Sequence, residues 1–315
     1  MSSAVPGINP DDPSFTYEEF SLLGENCSEF HLDWDDTTTV ERVETTLSDG
    51  RVISAIRWGQ GSPEIVFLHG GAQNAHTWDT VALMLGDRPM LAIDLPGHGH
   101  SSWRGDATYG PRSSAEDVAE TVDEHAPEAR LIVAMSLGGL TANALAANFP
   151  WLVQRLVIID VTPGVNRDKA ADIHAFIEGP QSFATFGEIF DRTVQFNPTR
   201  SAESLRRGIL HNAHRNTDGT WEWNYDRRHI EVSELPPRDD KSMNELWDDI
   251  SEIPAPYLLL RASLSPVVDD DDVAELLRRK PDAVVQVVDG AGHSIQGDQP
   301  AELARIIIEE LAATD

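Results

Sequence analysis

The sequence predicts an α/β architecture: a mostly parallel central sheet flanked by helices, interrupted by an inserted helical cap. Three observations carry that expectation. Short apolar runs recur at 63–68, 89–93, 130–135, 155–159, 256–261 and 283–288, each suited to a strand buried on both faces. Helical stretches separate several of them, as at 113–125, 140–148 and 299–312, which is the alternation that builds a parallel sheet. Between 165 and about 250 the alternation lapses and helical stretches follow one another. The expected organisation is an N-terminal extension at 1–37, a core from 38–164 and 251–315, and a cap at 165–250.

Composition narrows the function classes. The 315 residues include 53 acidic and 24 basic side chains, a net charge of −29, which repels DNA, RNA and anionic membranes. Cys27 is the only cysteine, so no intrachain disulfide forms, in keeping with a reducing compartment. Its polar, acidic neighbourhood does not activate a thiolate. The N-terminus lacks a basic and then apolar leader, and no apolar run is long enough to span a bilayer. The expectation is a soluble, cytoplasmic chain with no nucleic-acid partner and no membrane insertion.

Taken in order, the first dozen residues are expected to be disordered, and Tyr17–Leu23 to form a short helix against the body. Alternating patterns at 38–47 and 51–58, split by Ser48-Asp49-Gly50, read as a hairpin. The run 63–68 ends in His69-Gly70-Gly71, a loop whose backbone can approach a ligand closely. The Gly71 amide is a candidate oxyanion donor, and His69 organises the loop. The run 89–93 ends in Asp94-Leu-Pro-Gly97-His98-Gly99-His100, where Asp94 and His98 pin a turn by local hydrogen bonds. No H-E-x-x-H spacing accompanies these histidines, so no metal is expected. A helix starting at Ser113 or Ser114 precedes the run Arg130–Met135.

That run leads into Ala134-Met135-Ser136-Leu137-Gly138-Gly139 and an alanine-rich helix. Strand, serine, small residues, helix is the sequence of a nucleophile elbow, with Ala134 where a glycine usually stands. The turn lifts the Ser136 hydroxyl above the sheet and leaves the Leu137 amide free at a helix N-terminus. The next strand ends at Asp160. In the cap, helices are expected at 169–178, 186–194, 201–214 and 242–250, and its aromatic side chains mostly form its own core. After the strand 256–261 comes Asp269-Asp-Asp-Asp272 at a helix start, and after 283–288 comes Asp289-Gly290-Ala-Gly292-His293.

Ligands in open α/β sheets bind beyond the carboxyl ends of the strands. Those ends carry Gly71, Ser136, Asp160 and His293, and nucleophile, acid, histidine is the chain order of a hydrolytic triad. On these residues, with Trp78-Asp79, Asp160-Val-Thr-Pro, Leu205-Arg-Arg-Gly, Trp247-Asp-Asp and Gly292-His-Ser, the chain resembles the α/β-hydrolase fold superfamily. It is most similar there to the actinobacterial, mycobacterial-type small-ester carboxylesterases. In most members the acid follows the strand here at 256–261, where this chain has Ala262-Ser-Leu-Ser265-Pro. In a subset it follows the strand after the elbow helix, the place held by Asp160. The resemblance therefore implies Ser136, His293 and Asp160 as catalytic residues, with Asp269 or Asp270 as the alternative acid.

The implied reaction is hydrolysis of small carboxylic esters through an acyl-enzyme, without cofactor. The amides of Gly71 and Leu137 hold the oxyanion, and Gly70 and Met135 join them in facing the substrate. Met135 and cap aromatics suggest an apolar pocket. A thioesterase or C–C bond hydrolase can use the same triad, and a slow-turnover ligand receptor can retain it. Ser136 at the nucleophile position excludes the aspartate-dependent dehalogenase chemistry.

Overall fold

The computed structural model describes residues 7, 9–33, 38–227 and 240–314, with the backbone alone at 240–243. Eleven strands are found among them: β1 Val40–Thr46, β2 Val52–Trp58, β3 Ile65–Leu68, β4 Met90–Ile93, β5 Leu131–Met135, β6 Leu156–Ile159, β7 Ser182–Phe183, β8 Ala213–Arg215, β9 Trp221–Trp223, β10 Tyr257–Ala262 and β11 Val284–Val288. Eight form one sheet in the order β1-β2-β4-β3-β5-β6-β10-β11. β1 pairs antiparallel with β2 and β2 with β4, and every pairing from β4 to β11 is parallel.

The central strands are buried on both faces because both faces are covered. Val66 and Leu68 of β3 join Ile132 and Ala134 of β5 in one apolar cluster, under helices 111–125 and 137–148. Ile65, Phe67, Leu131 and Val133 point the other way, against helices 79–85 and 300–312. Alternation along a strand thus divides one continuous apolar run between two cores. The helix expected to begin at Ser113 or Ser114 begins at Pro111, where proline's missing N–H costs nothing.

Between β6 and β10 the insert is not purely helical, contrary to expectation. It has helices 171–177, 186–196 and 202–212, and also a three-stranded antiparallel sheet, β7-β9-β8. The Asn216–Gly219 turn joins β8 to β9, so the helix expected to reach residue 214 stops at Asn212. Phe186, Phe190, Trp221 and Trp223 lie in a separate apolar cluster of this insert. Helix 240–252 instead sends Leu246, Trp247 and Ile250 into the body's core.

The N-terminal segment differs from expectation as well. A 3₁₀ turn at 19–22 continues as an α-helix at 23–30, longer than the helix read at 17–23. Asp11 accepts hydrogen bonds from the Phe186 N–H and the Trp221 indole, so the segment is ordered before residue 12. Arg206 and Arg207 of helix 202–212 pair with Glu25 and Glu29. Residues 1–6, 8 and 34–37 of the expected extension, and 228–239 of the expected cap, lie outside the described residues. Cys27 is buried, and burial raises its thiol pKa. Among the described residues, no helix is long and apolar enough to cross a membrane.

Candidate active site

Four loops at the carboxyl ends of β3, β5, β10 and β11 line one cavity of about 580 Å³, covered from above by the insert. Gly70, Gly71, Met135, Ser136 and His293 line it. Ser136 has φ 52° and ψ −119°, a strained conformation for a residue with a Cβ. The turn tolerates nothing larger beside it. A Cβ on Gly138 would come within 2.5 Å of the Leu68 carbonyl oxygen and 2.6 Å of that of His69. A Cβ on Gly70 would meet the Met135 sulfur at 2.5 Å. These close approaches seat β5's turn directly on the loop after β3.

Both candidate oxyanion donors are free of protein acceptors among the described residues. Leu137 is the first residue of its helix, and its N–H has no intrahelical carbonyl to bond. The Gly71 N–H likewise donates to none. A Cβ placed on Gly71 would lie 4.0 Å from the Leu137 side chain, so the two amides come from adjoining residues. The helix dipole adds positive potential at the same place.

The loop is held from behind by groups that sequence reading assigned to structure. His69 is fully buried: its Nδ1 bonds the Gly70 carbonyl at 2.7 Å and its Nε2 accepts the Leu95 N–H at 2.9 Å. Burial lowers its pKa despite the nearby Asp94 carboxylate, which suits a neutral ring with one donor and one acceptor. Asp94 accepts from the Ala75 and His100 amides and from Arg42. His98 Nε2 accepts the Ala72 N–H at 3.1 Å, and Asn212 of the insert donates to the Ala72 carbonyl at 2.7 Å. Ala72 is thereby fixed at φ 59°, one residue beyond Gly71.

On the other side of the cavity, His293 Nδ1 lies 2.8 Å from Asp160 Oδ2. Asp160 is completely buried, and its other oxygen accepts the Ala262 N–H at 3.0 Å. The Nε2 of His293 is buried and has no partner among the described residues, and it makes no hydrogen bond to Ser136. Such bonds commonly tighten only when substrate is bound. Asp269 and Asp270 are engaged elsewhere. Asp269 caps helix 270–279 and pairs with Lys169, while Asp270 pairs with Arg261 at the surface.

Sequence reading did not find a cluster on the opposite cavity wall. His76 lies between Asp79 at 2.8 Å and Glu19 at 3.0 Å, and its ring stacks on His211 at 3.7 Å. Burial alone would lower the His76 pKa, but the two carboxylates raise it to about 9. His76 is therefore the cation of the pair, and burial together with that neighbouring charge drives the His211 pKa well down. Among the described residues, His76, Asp79 and His211 form the one group whose ligand atoms gather closely enough for a metal. The rings are nearly parallel, however, so their in-plane lone pairs run side by side and do not converge on one ion. The signal available in sequence was His76 three residues before Asp79; Glu19 and His211 join only through tertiary packing.

The fold agrees with what comparison with other proteins finds. The model of the alpha/beta hydrolase family matches residues 65–306. The esterase Rv0045c of Mycobacterium tuberculosis is 42% identical over 304 residues, covering 94% of this chain and 97% of that protein. One of its solved structures superposes with a TM-score of 0.83, covering 95% of this chain and 100% of the other. The sn-1-specific diacylglycerol lipase ABHD11 of Xenopus laevis is 28% identical, covering 86% of this chain and 84% of its own. With the match spanning most of the length, the chain belongs to the alpha/beta hydrolase family.

Proposed function

We propose that this protein hydrolyses small carboxylic esters through an acyl-enzyme formed on Ser136. The chain is a carboxylic ester hydrolase by family and by its likeness to the mycobacterial esterase. The finer reading assigns Ser136 as nucleophile, His293 as general base and acid, and Asp160 as the acid that orients it. Its main support is the buried, unpartnered Nε2 of His293, facing the cavity that Ser136 lines, on a ring whose Nδ1 is bonded to Asp160.

In this mechanism Ser136 Oγ attacks the ester carbonyl as its proton passes to His293 Nε2. The imidazolium is stabilised by Asp160, which stays ionised. The N–H groups of Gly71 and Leu137 bond the tetrahedral oxyanion, each contributing about 2.7–4 kcal/mol. Collapse breaks the bond to the alkoxide, which leaves as the alcohol with the proton from His293. Water then attacks the acyl-enzyme by the same steps in reverse order, releasing acid and restoring the serine. Every proton and electron pair is accounted for by the three side chains and water.

The test is a panel of p-nitrophenyl esters with wild type and Ser136→Ala, together with a serine-reactive phosphonate. The reading expects multiple turnover, stoichiometric phosphonylation of Ser136, and a loss of about 10⁴-fold or more in the variant. Wild-type turnover by Ser136→Ala would refute the assignment. Stoichiometric labelling of the native protein without turnover would instead make it a ligand receptor.

A further inference from the structure

Three cationic side chains line the insert side of the cavity: Lys169, Arg200 and Arg207. Two of them are neutralised. Lys169 pairs with Asp269 and Asp272, and Arg207 pairs with Glu29. Arg200 forms no ion pair with any described carboxylate. The two carboxylates that act on it from a distance, Asp298 and Glu29, are committed elsewhere. Asp298 accepts the Gly292 N–H and the Thr199 hydroxyl, and Glu29 accepts from Arg207 and Ser201. In a chain with more than twice as many acidic as basic residues, a cavity guanidinium without a carboxylate is not explained by a shortage of partners.

Its position is defined. Nη2 donates to the Ser204 hydroxyl at 2.6 Å, while Nε is buried with no acceptor. The guanidinium lies against the backbone of Gly297, where a Cβ would come within 2.4 Å of Nη1 and 2.6 Å of Cζ. Gly297 is in the short helix 295–298 that directly follows His293. Arg200 is therefore held over the helix that begins two residues after His293, the group that would deliver a proton to the leaving alcohol. Burial lowers its pKa, with Arg207 adding to that effect, and a guanidinium nonetheless remains charged. Arg200 is half-buried with its Nε sealed off from any acceptor, and a charge so placed without a counter-ion is costly; a carboxylate bound in the cavity removes that cost. The fork of N–H donors suits a carboxylate in particular.

We propose that Arg200 binds an ionised carboxylate carried by the substrate, so that the preferred esters are half-esters or other esters of a dicarboxylic acid. This rests on the ester-hydrolase reading above and names the substrate class of that site. The remaining N–H groups of Arg200 donate to the distal carboxylate while Ser136 attacks the ester carbonyl. No bond at Arg200 forms or breaks.

The experiment compares mono-p-nitrophenyl glutarate with p-nitrophenyl pentanoate, which present acyl chains of equal length that end in a carboxylate or a methyl. The readout is the ratio of their kcat/KM values. Wild type should favour the glutarate, and Arg200→Met should lower that ratio by roughly 10- to 100-fold, the range for losing hydrogen bonds to a charged group. Arg200→Lys, which keeps the charge and loses the fork, should fall between them. A ratio that is unchanged in Arg200→Met, or that favours the pentanoate in wild type, overturns the proposal. A second arm needs no turnover: binding of monomethyl glutarate by calorimetry to the Ser136→Ala protein with Arg200 or Met at position 200. At least tenfold weaker binding with Met supports the proposal, and equal affinity overturns it. Absence of turnover with both nitrophenyl esters would sink the esterase reading alone, and the binding arm would still decide Arg200. Thermal melts of each variant establish that it is folded.

Discussion

Replacing Asp160 by asparagine separates what the carboxylate does for the imidazole from what it does for the fold. Asp160 has two partners, the Ala262 N–H on one oxygen and His293 Nδ1 on the other. Asparagine is nearly the same size, and like aspartate it tolerates a left-handed backbone, here φ 48°. Its amide oxygen can keep the Ala262 bond, which leaves the NH₂ facing Nδ1. Nδ1 must then accept, so the ring's proton sits on Nε2 and cannot be exchanged for that of Ser136. Holding the wrong tautomer in a serine triad lowers kcat by about 10⁴, or about 5 kcal/mol in activation free energy. Steady-state hydrolysis of p-nitrophenyl butyrate should show that loss in kcat with little change in KM, since substrate does not touch Asp160. Thermal melts should place the variant close to wild type. Asp160→Ala, by contrast, should lose both activity and about 1–3 kcal/mol of stability, because the buried Ala262 N–H loses its acceptor. An Asp160→Asn protein within about tenfold of wild-type kcat would refute this reasoning. So would a comparable loss on replacing Asp269 or Asp270, whose partners lie away from His293.

Two further outcomes follow from the surrounding geometry. The His76 pKa is raised from 6.5 to about 9, so its ion pairs stabilise the fold fully below pH 6.5 and less as pH rises through 9. Denaturant unfolding should show stability falling over that window by up to about 3 kcal/mol, and His76→Gln should flatten the curve. Identical pH profiles for the two proteins would contradict the assignment of charge to His76. Gly138→Ala should cost about 1–3 kcal/mol or more, because its Cβ would meet two backbone oxygens that cannot swing away. Gly71→Ala meets nothing closer than 3.9 Å and should unfold at nearly the wild-type denaturant concentration. Equal stabilities for these two alanine variants would count against the close approach of the elbow to the β3 loop.

The fold was legible in the sequence where burial forces a simple pattern. Runs such as Ile65–Leu68 and Leu131–Met135 are apolar at every position because helices cover both faces of those strands. The insert's small sheet was not legible. β7 has two residues and β8 and β9 three each, too few for an alternation to register. Ser136 and Asp160 could be named because each closes an apolar run, and His293 because its loop follows one; parallel strands bring such ends to one rim. Arg200, Glu19 and His211 could not be named in that way. Arg200 and His211 reach the cavity from the insert, Glu19 meets His76 from the N-terminal segment, and the bond from Tyr17 to His211 spans 194 residues of chain. No local pattern encodes which side such residues face.

The pairing of β6 with β10 sets where the Asp160 carboxylate can reach. β6 and β10 are parallel neighbours, with Ile159 opposite Leu260 and the Asp160 N–H bonded to the Leu260 carbonyl. Asp160 therefore starts beside the end of β10, and its side chain crosses to the Ala262 N–H one strand away. The loop after β11 comes to meet it. Leu264 N–H bonds the Ala291 carbonyl, and Gly290 N–H bonds the Ser263 hydroxyl, so the His293 loop is fastened to the loop after β10. An acid at the end of either β6 or β10 can thus address the same imidazole. With Ser263 after β10, the side chain there fastens the two loops, and the carboxylate comes from the end of β6.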